Sequence, residues 1–128
     1  MKIHMYEAVE FRALLDKIKT NAFSVKTSYK LSRLSNKILQ ELNFYDQKIR
    51  EIILEFSQKD ENNSPKFSEN EQNVLIKPEK IDECRKQIYE LENLDIEVPD
   101  IKFKIEEFEG LTLSMNELNP LMPFIENE

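Results

Sequence analysis

Apolar positions recur at steps of three and four through the first half of the chain. Val9, Phe11, Leu14, Leu15 and Ile18 share one helical face and predict a first helix over residues 5–19, closing near Thr20 and Asn21. After a short connection over residues 21–25, the same steps carry Leu31, Leu34, Ile38, Leu42, Tyr45, Ile49, Ile52 and Phe56, with Ser24 or Thr27 placed to cap the start. This second helix extends for about 30 residues, or about 45 Å. One small domain needs less, so part of its apolar line is expected against a second copy of the chain or along one arm of a hairpin.

Breakers then take over. The stretch SQKDENNSP over residues 57–65 ends the helix, and Phe67 with the run Val74, Leu75, Ile76 predicts a weak β-hairpin over residues 65–76. Pro78 opens a third helix over residues 79–94, which places Ile81, Cys84, Ile88 and Leu91 on one face and Cys84 in the core. Beyond Leu94 the period changes. Ile96 and Val98, then Ile101, Phe103 and Ile105, alternate with charged residues as half-buried strands do, with Pro99 between the two runs. Pairing of these strands with the 65–76 hairpin would give a small antiparallel sheet. Residues 111–125 close the chain with a helical turn in which Ser114 and Glu117 have capping-box spacing and Pro120 and Pro123 prevent extension. Leu118, Leu121, Phe124 and Ile125 make an apolar end that should dock on the core or on a second subunit. The expected class is α+β: an N-terminal helical hairpin with one long helix, a third helix and a small antiparallel sheet. A single domain over 1–128 is expected, with the hairpin at 1–57 and a mixed part at 58–128.

Charge changes this picture locally. The chain of 128 residues has net charge −7, yet residues 17–40 hold six basic side chains (Lys17, Lys19, Lys26, Lys30, Arg33, Lys37) and no acidic one. The other 104 residues hold 12 basic against 25 acidic groups. On the second helix, Lys26, Lys30, Arg33 and Lys37 fall within a sector of about 60°. Cations so placed repel one another and oppose the helix dipole, a conflict that a bound phosphate or carboxylate would relieve. Tyr29 and Asn36 flank the stripe, and a ring and an amide beside cations make a platform for a nucleobase or ribose. Two alternatives remain open from the residues alone. Tyr29 can instead pack on the first helix while the lysines snorkel, and the acidic C-terminal half can neutralise the stripe from within. From Glu79 onward there are 14 acids against 5 bases. Stability separates the two cases. Lys30→Ala and Arg33→Ala leave the unliganded protein at least as stable if the stripe serves a ligand, and both destabilise it if the stripe is internally paired.

Scarcity excludes most familiar chemistry. One glycine, Gly110, rules out a glycine-rich phosphate loop, and one cysteine, Cys84, rules out an intrachain disulfide framework and a multi-cysteine metal site. The only histidine, His4, sits near the N-terminus in an expected strand, a poor position for a catalytic triad or a zinc site. Glu106, Glu107 and Glu109 read as a solvated face, not as a metal or acid–base site. No apolar run reaches the length of a membrane span and no signal-peptide core is present, so the expectation is a cytoplasmic protein without a membrane, cofactor, metal or catalytic residue. Direct DNA binding is disfavoured by the acidic balance.

The block KTSYKLSRLSNKI at 26–38, the KDENN turn at 59–63, the run ELENLDIEV at 90–98 and the ending LTLSMNELNPLMPFI at 111–125 give the chain its character. In this order it resembles small uncharacterised phage and prophage proteins of low-GC Gram-positive bacteria. That resemblance implies an accessory phage protein acting in the host cytoplasm, of the kind that counters host defence or regulates host factors. It supplies no established activity. The resulting expectation is a non-enzymatic, homo-oligomeric binder that sequesters an anionic, phosphate-bearing small molecule, such as a host signalling nucleotide, through Lys26, Tyr29, Lys30, Arg33, Asn36 and Lys37. The alternative is an acidic helical inhibitor or adaptor that binds a host protein.

Overall fold

The computed structural model describes residues 1–70 and 73–126 and bears out the α+β class, with one long helix and a two-stranded antiparallel sheet. Strand β1 (Lys2–His4) runs directly into helix α1 (Met5–Ile18), where the Glu7 carboxylate accepts the His4 N–H at 2.9 Å and closes the first turn. Helix α2 (Val25–Phe56) is 32 residues long, about 48 Å. Helix α3 (Ile81–Glu92) follows a 3-10 turn at Pro78–Lys80, strand β2 spans Asp95–Glu97, and helix α4 (Met115–Leu118) leads into a 3-10 segment at Asn119–Phe124.

The chain divides into two compact units, and the division falls inside α2: one unit is Met1–Leu42 with Asp95–Glu128, the other Asn43–Leu94. In the first, β1 and β2 pair with Ile3 opposite Ile96, both buried, between Lys2 opposite Glu97 and His4 opposite Asp95. The inward pair anchors the sheet, and at one outer position Lys2 and Glu97 set opposite charges across it. Phe11 of α1 meets Phe124 edge-on at 5.8 Å, and Phe103 and Phe108 lie 5.2 Å apart. Leu34 and Ile38 of α2 are fully buried.

Two strand predictions need correction. The partner of β2 is the N-terminal strand, not the 65–76 segment. The latter is engaged within the second unit: Gln58 N–H donates to Leu75 O, Leu75 N–H to Lys66 O, and Lys66 N–H to Gln58 O, all at 2.8–2.9 Å. Bridges Ser57–Ile76, Lys59–Pro65 and Phe67–Val74 bear out an antiparallel arrangement there, and the part of the hairpin prediction on residues 71–72 lies outside the described residues. Residues 101–105 do not form a strand of the named sheet. Pro99 has no N–H to give to a ladder, Phe103 makes only an isolated parallel bridge to Ile125, and Ile105 already belongs to a 3-10 turn, Ile105–Phe108. The buried side chains of that alternation, Ile101 and Phe103, do face the interior. Gly110, at φ 90°, reverses the chain after Phe108 in a conformation L side chains rarely adopt.

Candidate functional site

The N-terminal half of α2, within the first unit, carries every residue of the expected site. Its start is fixed by Ser24: the Ser24 hydroxyl oxygen accepts the Thr27 N–H at 3.2 Å and its proton goes to Thr27 Oγ1 at 3.1 Å. The first turn has no acidic side chain to meet the helix dipole. Because the helix is continuous from Val25, the four cations of the stripe do share one side of it.

They do not share one environment. The Lys30 ammonium lies 3.0 Å from Glu107 Oε2, donates to Lys102 O at 2.9 Å and sits 4.8 Å from the centre of the Phe103 ring. Glu107 accepts two further bonds, from the buried Thr27 hydroxyl at 2.7 Å and from the Lys104 N–H at 2.7 Å. Its side chain is 18% exposed and that of Lys30 20%. Burial by itself pushes the Glu107 carboxyl up, but the Thr27 hydroxyl, the Lys104 amide and the Lys30 ammonium together outweigh it and hold Glu107 below the usual carboxylate range. The expectation that Glu107 belongs to a solvated face is therefore overturned. Its donors come from α2 and from its own turn, so one carboxylate fastens Ile105–Phe108 to the basic block.

The remaining cations sort by partner. Lys37 pairs with Glu41 one turn on at 2.9 Å, Lys19 pairs with Asp16 at 3.3 Å, and Lys17 bonds Glu117. Lys17 and the Ser114 amide hold Glu117 down to about 2. Lys26 and Arg33 are exposed, and among the described residues neither has a carboxylate partner. The Arg33 guanidinium stands 5.9 Å from the centre of the Tyr29 ring, within cation–π range. Tyr29 is 63% exposed, and Asn36 is exposed on the same side of the helix.

The six expected residues thus separate into two groups. Lys30 and Lys37 are engaged with carboxylates; Lys26, Tyr29, Arg33 and Asn36 form an open platform of two cations, a ring and an amide. The Lys30–Glu107 pair agrees with the alternative in which the acidic C-terminal half neutralises the stripe from within, although the sequence reading named neither Glu107 nor Thr27 as a partner of the block. The signal for Glu107 was a density of acids at 106–109 matching an acid-free window at 17–40, but Lys30 and Glu107 meet from 77 positions apart and no local pattern marks that pairing. No cluster of three or more metal-ligating side chains occurs among the described residues, and no described helix is long and apolar enough to cross a membrane. No protein-family model, curated protein or solved structure matches the chain.

Proposed function

We propose that this chain is a non-enzymatic binding protein that takes a phosphate-bearing small molecule on the open face of α2. One observation carries the reading: in a chain of net charge −7, Lys26 and Arg33 stand exposed without an acidic partner among the described residues, beside an exposed tyrosine. Arg33 supplies a planar fork for a phosphate, Lys26 a second positive charge, Tyr29 a stacking surface for a base, and Asn36 an amide for its edge or for a ribose. Lys30 and Lys37 act as structural partners of Glu107 and Glu41, whose carboxylates offset their charge. In the phage setting that the sequence resembles, the ligand is a host signalling nucleotide and the effect of holding it is to blunt a defence response.

An exposed helix face covers only one side of a small ligand, so the proposal includes a second copy of the chain supplying the other side. Light scattering should then give a mass above the 15.3 kDa of one chain. The direct test is to incubate the purified protein with lysate of phage-infected cells, heat it, and identify the released small molecules by mass spectrometry. A nucleotide that is recovered from the native protein and absent after Arg33→Ala is the expected result. A basic host protein co-purifying instead, with no small molecule released, would favour the second reading, an acidic inhibitor or adaptor. The observation behind that reading is the excess of acids from Glu79 onward, among which Asp82, Glu83, Glu90, Asp95 and Glu97 are exposed.

A further inference from the structure

The second unit has a thin core beside an open apolar cavity. Its buried cluster is Ile52, Phe56, Cys84 and Leu91, with Ile49, Ile76 and Ile88 only partly covered against it. Next to this cluster lies a cavity of about 640 Å³ whose walls include Ile53 of α2, Val74 and Ile76 of the interlocked segment, and Ile81 and Ile88 of α3. That volume lies within the range of small-molecule sites, about 300–1,000 Å³. All five of these walls remain partly exposed, so an apolar occupant would remove from water a surface that the fold leaves wet.

Three lining residues are not aliphatic walls: Asn73, an exposed amide at the end of the interlocked segment, Cys84 and Arg85. Cys84 reaches the cavity from the core side, and Arg85 stands at the exposed side. The spacing of Ile81, Arg85 and Ile88 at i, i+4 and i+7 puts the guanidinium on the same face of α3 as the two isoleucines. Among the described residues Arg85 is the one charged group of the lining, and it has no carboxylate partner. An extended peptide would need free backbone partners along this wall. On its interlocked segment several are already engaged: Asn73 O accepts from Ser68, Leu75 uses both its N–H and its C=O, and Ile76 O accepts from the Gln58 side chain at 3.1 Å.

We infer that this cavity binds an amphipathic anion, an unbranched hydrocarbon chain lying along the isoleucines with its carboxylate at Arg85. The hydrocarbon needs no hydrogen bonds from the wall, and the head group meets the one unpaired cation beside it.

Decanoate, kept below its micellar concentration, is the probe, and 1-decanol is its uncharged counterpart. Calorimetric titration of the full chain should give saturable one-site binding of decanoate. Cys84, the chain's single cysteine and a thiol whose pKa is raised by burial, reports the location: its alkylation by iodoacetamide, followed by intact mass, should slow in step with that binding. Arg85→Gln, an exposed substitution, should weaken decanoate about three- to fivefold, the size expected of an exposed ion pair, and leave 1-decanol unchanged. Absence of saturable decanoate binding would overturn the inference, as would equal binding of the acid and the alcohol with no effect of Arg85→Gln. Protection of Cys84 by an apolar tripeptide but not by decanoate would also overturn it, in favour of a protein side-chain dock.

Discussion

Lys30 and Arg33 lie one turn apart on α2 and make opposite demands on the fold. Lys30 is closed in by Glu107, the Lys102 carbonyl and the Phe103 ring; Arg33 has only the exposed Tyr29 ring beside it. Removing the Lys30 side chain leaves the Glu107 carboxylate half-buried with one donor fewer. Lys30→Ala should therefore destabilise the protein by about 1–3 kcal/mol in urea unfolding. Arg33→Ala should stay within about 0.5 kcal/mol of the parent. An equal, clear loss in both variants would mean that Arg33 is also an internal brace and would remove the basis of the proposed ligand face. The pH dependence has a definite sign. Glu107 titrates lower in the folded chain than in the unfolded one, so its contribution is present above the unfolded carboxylate value and disappears as pH falls through the folded one. Glu107→Gln should flatten the acid limb of the stability–pH curve and leave its neutral-to-alkaline shape intact. An unchanged acid limb would place the acid sensitivity in other carboxylates.

Element existence was legible wherever the hydrophobic period ran long. The steps of three and four from Leu31 to Phe56 gave α2, and its capping serine was one of two named candidates. Ser114 and Glu117 cap α4 as their spacing foretold, with Glu117 N–H donating to Ser114 Oγ at 3.2 Å and Ser114 N–H to Glu117 Oε1 at 2.9 Å. Short elements were not legible. β1 is three residues, too few for alternation to rise above chance, and its pairing with β2 joins positions more than 90 apart. The alternation at 101–105 reported burial of Ile101 and Phe103 correctly but not a named strand, because inward and outward alternation also occurs in an irregular segment held by isolated contacts. The open platform was legible as residue types, whereas its division from Lys30 and Lys37 depended on which acids the fold brings near. A backbone test belongs at this scale as well. Beyond Gly110 and its two chain neighbours, no atom lies within 4 Å of where a Cβ would stand, so Gly110→Ala meets no steric wall and should cost only the left-handed backbone strain, about 1–2 kcal/mol by thermal or urea unfolding. A loss well above that range would show that the turn is coupled to packing elsewhere.

Across the whole molecule, the two units differ in how much apolar surface each encloses. Of 21 buried hydrophobic residues among the described ones, four belong to Asn43–Leu94, which leaves 17 for the other unit. Burial of apolar area is the main favourable contribution to folding, so local opening should cost less where fewer such residues are enclosed. The hydrogen bonds of α3 rest on Cys84 and Leu91, its two buried side chains, whereas those of α1 rest on Met5, Ala8, Phe11, Leu14 and Ile18. Native-state hydrogen exchange should show this contrast directly. Central amides of α1 should exchange only through the largest openings, while those of α3 exchange through a smaller, separate one, at least tenfold faster after correction for intrinsic rates, a gap of about 1.4 kcal/mol or more. Decanoate gives the observation a second use. If the cavity along Ile81 and Ile88 takes the chain as inferred, saturating decanoate should slow α3 exchange and leave α1 unchanged, because a ligand that binds only the closed form stabilises that form by mass action. Matching exchange in the two helices without decanoate would show one cooperative unit in place of two, and α3 would then owe its protection to more than its own thin core.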